Sequence, residues 1–188
     1  MARTYPEYDY DLPEGLFQDL SGLAVTELEK ELAGRLQGGP ALPALEEFFR
    51  AYGQRVARAV LAAGEKYKDR TAEVMAEAAR KTGLVFPGLP QRYLEIWLLA
   101  TRPRDRWQIQ ENSPRRLTFA VSECSIYESI KESIAGEPSL PCRECCLTFL
   151  KELYKHLGLA VQVTQSATMV QSNVCCFKCE CTVESARQ

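Results

Sequence analysis

All eight cysteines of this 188-residue chain lie between residues 124 and 181, and the 123 residues before them contain none. Two groups are dense, one after Pro141 and one after Val174, and Cys124 stands apart from both. Thiolates bind soft metal ions and attack electrophiles. A cysteine set confined to one part of a chain indicates a local site, because structural disulfides would be distributed over the fold. We therefore predict a thiolate-based site in the segment 124–181.

The first dense group begins a predicted helix. Cys142, Cys145 and Cys146 follow Pro141 at positions i, i+3 and i+4. These positions share one helical face, so the three sulfurs can point in the same direction. The free backbone N–H groups and the positive dipole end of a helix N-terminus favour thiolate over thiol.

The second dense group lies on a predicted strand with alternating faces. One face carries Cys175, Phe177, Cys179, Cys181 and Val183, and the other carries Cys176, Lys178 and Glu180. The apolar face with three thiols is the predicted buried side. On a regular strand Cys175 and Cys179 would be ~13 Å apart, at about 3.3 Å per residue. Because Zn–S bonds are only about 2.3 Å long, one metal ion cannot bind both.

Two ligand sets remain open. Cys142 and Cys145 with Cys176 and Cys179 have zinc-ribbon spacing, but this set requires the strand to break into a knuckle. On a regular strand the better set is Cys124, Cys142, Cys145 and Cys175. The remaining thiols would then support these ligands, pack as small hydrophobic groups or form a second metal site: Cys146, Cys176, Cys179 and Cys181. Spacing does not separate zinc from an iron–sulfur cluster of the [4Fe–4S] type.

Composition excludes several classes of function. A net charge of −2 provides no strong field for nucleic acid or an anionic membrane. The N-terminal residues have no apolar core of a secretory signal, and the most apolar run, YLEIWLLA, is too short to span a bilayer. We expect a cytoplasmic protein, in which cysteines are more often metal ligands or redox thiols than disulfides. The lone His156, at a predicted helix end, is expected on the surface.

Hydrophobic periodicity predicts a helical first half. Residues 1–20 are interpreted as an extended arm, and helices are predicted over 26–36, 42–63, from Asp69 or Thr71 to Lys81, and over 90–101. The last of these is apolar around its axis and should be central. Tyr93 and Trp97 on it are candidates for lining a ligand pocket, although core packing explains them better. Five arginines near the following strands are expected to be solvated: Arg102, Arg104, Arg106, Arg115 and Arg116.

In the second half of the chain, the hydrophobic pattern indicates strands as well as helices. Strands are predicted over 107–110 and 117–122, helices over 125–135 and 142–157, and a closing hairpin of strands over 159–170 and 174–183. We therefore predict an α+β fold in which a helical N-terminal part precedes an antiparallel sheet with helices packed on one face. The predicted division is an arm and first helix over 1–40 and an α+β domain over 41–188.

Four segments together are similar to a known family. They run from Val121 to Glu128, from Pro141 to Cys145, from Gly158 to Val163 and from Met169 to Phe177. In these segments the chain resembles the L-2-amino-thiazoline-4-carboxylic acid hydrolase family and, more distantly, the 4-vinyl reductase domain. The resemblance covers roughly residues 42–183, and its specific part is limited to four cysteines and one phenylalanine: Cys124, Cys142, Cys145, Cys175 and Phe177.

The resemblance implies a small-molecule-binding α+β fold with a cysteine metal site. Cys124, Cys145 and Cys175 are then the expected ligands, with Cys142 as the fourth. Ser-Asn replaces the Gly-Asp-like turn that usually precedes the last cysteine of the family pattern. The four additional cysteines are outside the pattern and favour an iron–sulfur cluster or a second metal over a single zinc ion.

Three functional hypotheses are consistent with these observations. The first is a metal-containing accessory or small-molecule-binding protein, with a small molecule or a larger enzyme subunit as partner and a homodimer possible. The second is a hydrolase that opens a carbon–nitrogen bond of a cyclic amidine. Its nucleophile would be Cys146 or Cys142, and its acid or base Glu123, Glu128 or Glu144. The third is an electron-transfer subunit.

Overall fold

The computed structural model describes residues 12–36, 41–83, 85–132 and 140–181. Its first half is helical, as the periodicity predicts. The helices of this half are α1 (Glu14–Leu20), α2 (Val25–Leu36), α3 (Leu42–Lys66), α4 (Arg70–Thr82) and α5 (Gly88–Thr101). The side chain of Asp69 caps α4 by accepting a 2.6 Å hydrogen bond from the Ala72 N–H, and Gly83 ends the helix in the left-handed conformation.

The second half contains a four-stranded antiparallel sheet and three helices. The elements follow in the order β1 (Arg106–Ser113), β2 (Arg116–Glu123), α6 (Ser125–Ile130), α7 (Arg143–His156), β3 (Val161–Ala167), α8 (Met169–Ser172) and β4 (Cys175–Cys181). The strand order is β1-β2-β4-β3, so the closing hairpin inserts β4 between β2 and β3. The α+β class and the antiparallel sheet are thus confirmed.

One hydrophobic core joins the helices to one face of the sheet. Helix α5 is buried on almost every side, and helix α7 packs between α3 and the sheet. Leu16 and Leu32, from helices before residue 40, belong to the same buried cluster as Phe119 and Phe177 of the central strands. Among the described residues, none of the helices combines the length and the apolarity that crossing a bilayer requires.

The structure corrects several boundaries. Residues 14–20 form helix α1 with Leu16 and Leu20 buried, so the extended arm cannot reach residue 20, and residues 1–11 lie outside the described ones. Met169 and Val170 belong to the short helix α8 and not to a strand. Thr168 caps this helix, and Asn173 ends it with a positive φ, so the polar residues around it make a helical turn.

Two further predictions are affected at segment ends. The turn between the first two strands lies at Pro114 and Arg115, so Asn112 and Ser113 extend β1. Of the helix predicted over 125–135, Ser125–Ile130 is helical, and residues 133–139 lie outside the described ones. His156 is exposed at the end of α7, as expected.

Candidate functional site

A small cavity of about 20 Å³ lies where β2, β4 and the N-terminus of α7 meet. Four cysteines from three separate parts of the chain line it: Cys124, Cys142, Cys146 and Cys175. Each of these side chains is at most 8% exposed. The remaining walls are mainly apolar, with Val121, Leu140 and Phe177 among them, and Arg102 and Gln165 provide polar groups.

Local sequence places two of the thiols at the start of α7. Cys142 occupies the N-cap position directly after Pro141, and Cys146 lies one turn into the helix. Helix α3 approaches closely here, because an added Cβ at Gly53 would lie 2.6 Å from the backbone oxygen of Cys145. Glycine at position 53 therefore allows α3 to hold the first turn of α7 against the sheet.

The other two thiols come from strand ends. Cys124 follows β2 and caps helix α6, where its sulfur accepts a 3.4 Å hydrogen bond from the backbone N–H of Tyr127. Cys175 is the first residue of β4, and Gln165 on β3 donates from its amide nitrogen to the Cys175 sulfur at 3.4 Å. The antiparallel pairing of Val121 with Cys175 brings these two strand ends together.

A buried arginine contacts the thiols. Arg102, directly after α5, is 1% exposed, and its Nη2 lies 3.1 Å from the Cys124 sulfur while Nη1 lies 3.7 Å from that of Cys146. Nη2 also pairs with the carboxylate of Asp105, whose side chain is fully buried. The guanidinium carbon lies 5.2 Å from the ring centroid of Trp97. Arg102 is therefore a fixed positive charge in the cavity wall.

The surroundings of the four cavity thiols shift their pKa values in opposite directions. Burial raises the pKa of Cys124, places that of Cys142 well above its ordinary value and raises that of Cys175 to about 12. The pKa of Cys146 is lowered to about 7, first because the Cys145 thiol donates a hydrogen bond to it and then because Arg102 is near. Burial alone would lower the pKa of Arg102, but the thiols and Asp105 hold it well above its ordinary value.

Three of the four predicted ligands line one cavity. Cys124, Cys142 and Cys175 line the cavity, and Cys146 lies there in the place expected for Cys145. Cys145 is fully buried at the contact with Gly53 and is outside the cavity lining. Within the described ranges, no three His, Cys, Asp or Glu side chains converge closely enough to form a ready metal-binding group. The ligand set therefore stays a prediction.

The remaining cysteines are separated from the cavity by the regularity of β4. The strand runs from Cys175 to Cys181 without a break, and its buried and half-buried residues alternate as predicted. Cys176 faces away from the helices and donates from its thiol to Gln110 at 3.4 Å, whereas Cys179 is fully buried on the opposite face. The knuckle that a zinc-ribbon set would require is therefore not formed.

The predicted pocket residues lie in the core. Trp97 is fully buried and stacks on Phe149 with a centroid distance of 4.0 Å, and Tyr93 donates from its hydroxyl to Glu65 at 2.7 Å. Neither lines the small cavity. Trp97 instead forms the aromatic surface beneath Arg102.

The predicted acid or base residues all form ion pairs. Glu123 pairs with Arg106 at 3.2 Å, Glu128 with Lys131 at 2.5 Å and Glu144 with Arg50 at 3.3 Å. Glu123 and Glu128 also line a second, more open cleft of about 340 Å³. Cys124 contributes to both the small cavity and this cleft.

Sequence reasoning missed Arg102 as a site residue. Of the five arginines expected to be solvated, this one is buried, because it directly follows the most apolar helix of the chain. Its partner Asp105 accepts from the backbone N–H of Ser125 at 2.8 Å and so ties the arginine to the start of α6. The i,i+3 spacing of Arg102 and Asp105 after that helix is a signal for a buried ion pair.

Comparison with known proteins yields no family assignment. No protein-family model matches the chain. No curated protein matches it either.

Proposed function

We propose that this protein binds a metal centre through Cys124, Cys142, Cys146 and Cys175 and serves as an accessory or small-molecule-binding protein. The observation that carries this proposal is one cavity lined by four thiols from three separate parts of the chain. An all-thiolate donor set suits zinc or an iron–sulfur cluster.

The size of the cavity favours an ion over an organic substrate. A cavity needs roughly 10–15 Å³ to hold one water molecule, whereas ligand pockets usually measure about 300–1,000 Å³. The small cavity, at about 20 Å³, is therefore close in size to a cavity for one water molecule and far smaller than an organic ligand pocket. It therefore supports a single ion best, and a four-iron cluster would need the walls to move apart.

The charge of the site also suits thiolate ligands. Four thiolates around a divalent cation carry a net charge of about −2, which a buried site must compensate. Arg102 donates towards two of the four sulfurs and Gln165 towards a third. Cysteine has a single χ1 rotor, so the sulfurs would converge by changing rotamer.

Metal binding should depend on pH in a definite direction. The raised pKa values of Cys124, Cys142 and Cys175 mean that these thiols hold their protons at neutral pH without metal. The metal must displace these protons, so its affinity should rise between about pH 6 and pH 8. Competition titrations with a chromophoric chelator, with proton release followed in weak buffer, measure both effects.

The deciding experiment compares neighbouring cysteines. Protein purified without oxygen is analysed for zinc, iron and sulfide, and its spectrum separates a coloured cluster from colourless zinc. We expect Cys146→Ser to lose the metal and Cys145→Ser, the matched control one residue away, to retain it. Folded protein that contains no zinc, iron or sulfide after purification without oxygen contradicts the proposal.

A second function is favoured by one observation on Cys146. Its pKa of about 7 makes it the most readily ionised of the four cavity thiols, which is the property of a nucleophile. The resemblance to the thiazoline hydrolase family then implies opening of a cyclic amidine. Cys146 lines the small cavity and not the 340 Å³ cleft, so the walls of the small cavity would have to move apart to admit the ring. Turnover of a cyclic thiazoline by metal-free protein, lost in Cys146→Ser and kept in Cys145→Ser, supports this function. Absence of turnover contradicts it.

A further inference from the structure

The two edge strands of the sheet differ in how they are protected. β1 carries Arg106 and Glu111, and its pairing with β2 shifts register twice, once at each of these residues. Charged side chains and bulges are devices that prevent an edge strand from pairing with another chain. β1 is therefore protected against pairing with a strand of another chain, and we call it the guarded edge.

β3, at the other edge, has neither device along most of its length. Its sequence, VQVTQSA, contains no charged residue and no proline. Its pairing with β4 is regular from Val161 to Gln165, and the single shift follows at its end. Among the described residues β4 is the only strand that pairs with it, so its outer row of backbone N–H and C=O groups faces no other strand. Such an edge is a template for strand addition.

We propose that β3 pairs with β3 of a second copy of this chain, forming a continuous eight-stranded sheet about a twofold axis. A twofold interface requires a surface that is complementary to itself. Antiparallel self-pairing about the middle of β3 places Thr164 near its own counterpart and Gln162 near Ser166, all of which are exposed and uncharged. Like charges would oppose each other in such a pair, and β3 has none.

Apolar side chains on the inner face of β3 also favour pairing with a second copy of the chain. Val161 and Val163 are partly buried against the core, so a second strand beside them would cover apolar surface that remains exposed. Val170, just beyond the strand, is 56% exposed and is one of the few large apolar side chains on the surface of the described residues.

Introducing charge at the interface tests the proposal on the full chain. The mass of the purified protein is measured by sedimentation equilibrium over a range of concentrations. We expect a dimer, and we expect Q162K/T164K to weaken it by roughly ten- to hundredfold. The lysine at position 164 then faces its own counterpart, and the lysine at position 162 lies diagonally across from it. A mixture of Q162K/T164K with Q162E/T164E should restore dimers, which also shows that both variants are folded.

The guarded edge provides the matched control. Q108K/Q110K adds the same charges to exposed positions of β1 and should leave the dimer unchanged. A wild-type chain that stays monomeric at all concentrations overturns the proposal, as does a dimer that Q162K/T164K leaves intact or that both lysine variants weaken equally. Metal content does not enter this test, so its failure is separate from a failure of the metal proposal.

Discussion

The two ends of β4 carry the same residue type on the same buried face but differ in their surroundings. At one end Cys175 lines the cavity with Cys142 and Cys146, and Arg102 supplies a buried positive charge. At the other end Cys179 lies beside Tyr154 in the core, where burial raises its pKa to about 12. The position of a buried cation therefore distinguishes a candidate site from packing, although both ends contain cysteine.

The largest expected difference between the two ends concerns metal. Cys175→Ser and Cys179→Ser change the same atom on the same face of one strand. We expect the first to lose bound metal almost completely and the second to retain it, because only Cys175 lines the cavity. Metal analysis of both proteins after anaerobic purification measures the effect. Equal metal content in the two variants would remove the distinction between the two ends.

The next largest effect is expected at the buried cation. Arg102→Met leaves the buried Asp105 carboxylate without its positive partner, which should lower the free energy of unfolding by about 3–5 kcal/mol. Denaturant unfolding of the metal-free protein measures this loss.

A double variant separates charge from packing at the same position. R102M/D105N removes both charges and should recover much of the stability lost in Arg102→Met. If the double variant is no more stable than the single one, the loss comes from packing against Trp97 and not from the unpaired carboxylate.

A buried carboxyl without a cation extends the comparison. Glu95 on α5 is 6% exposed, and its only hydrogen bond among the described side chains comes from the Gln91 amide at 2.7 Å. Burial raises its pKa to about 7. Between about pH 5 and pH 7 the folded chain holds a proton that the unfolded chain has lost, so this group makes the protein less stable as pH rises through that range.

Glu95→Gln should remove that pH dependence. The neutral amide keeps the shape and the contact with Gln91 but carries no charge to bury. We expect the variant to be about 2 kcal/mol more stable than the wild type near pH 8 and nearly equal to it near pH 5. Glu152→Gln, on the half-buried surface of α7, is a control that should not show this difference. If the wild type is more stable than Glu95→Gln at pH 8, the raised pKa of Glu95 is contradicted.

The smallest effect is expected at the packing end of β4. The Tyr154 hydroxyl is buried beside Cys179 without a well-formed hydrogen bond. A thiol is a weak hydrogen-bond partner, so removing the hydroxyl costs little, and Tyr154→Phe should change the free energy of unfolding by less than about 1 kcal/mol. Thermal and denaturant unfolding check this value, and a loss above about 2 kcal/mol would assign the hydroxyl a structural role.

Much of the fold could be predicted because it follows from local periodicity. The apolar stripe of α3 and the alternation of β4 are repeated patterns, and repeated patterns determine which face is buried. The short helix α8 was mistaken for a strand because four residues do not span enough of a period to distinguish the two. Helix α1 was missed because the Tyr, Asp and Pro content of residues 1–20 indicated an extended arm.

The sequence by itself determined that the thiols are concentrated in 124–181 and that β4 presents Cys175, Phe177 and Cys179 on one face. Only the tertiary structure decided that Cys146 rather than Cys145 lines the cavity, because adjacent helical residues point about 100° apart and the packing of α3 selects between them. It also decided that Arg102 is buried among the thiols. Spacing along a chain limits which side chains can share a face, whereas contact between faces depends on how remote elements pack.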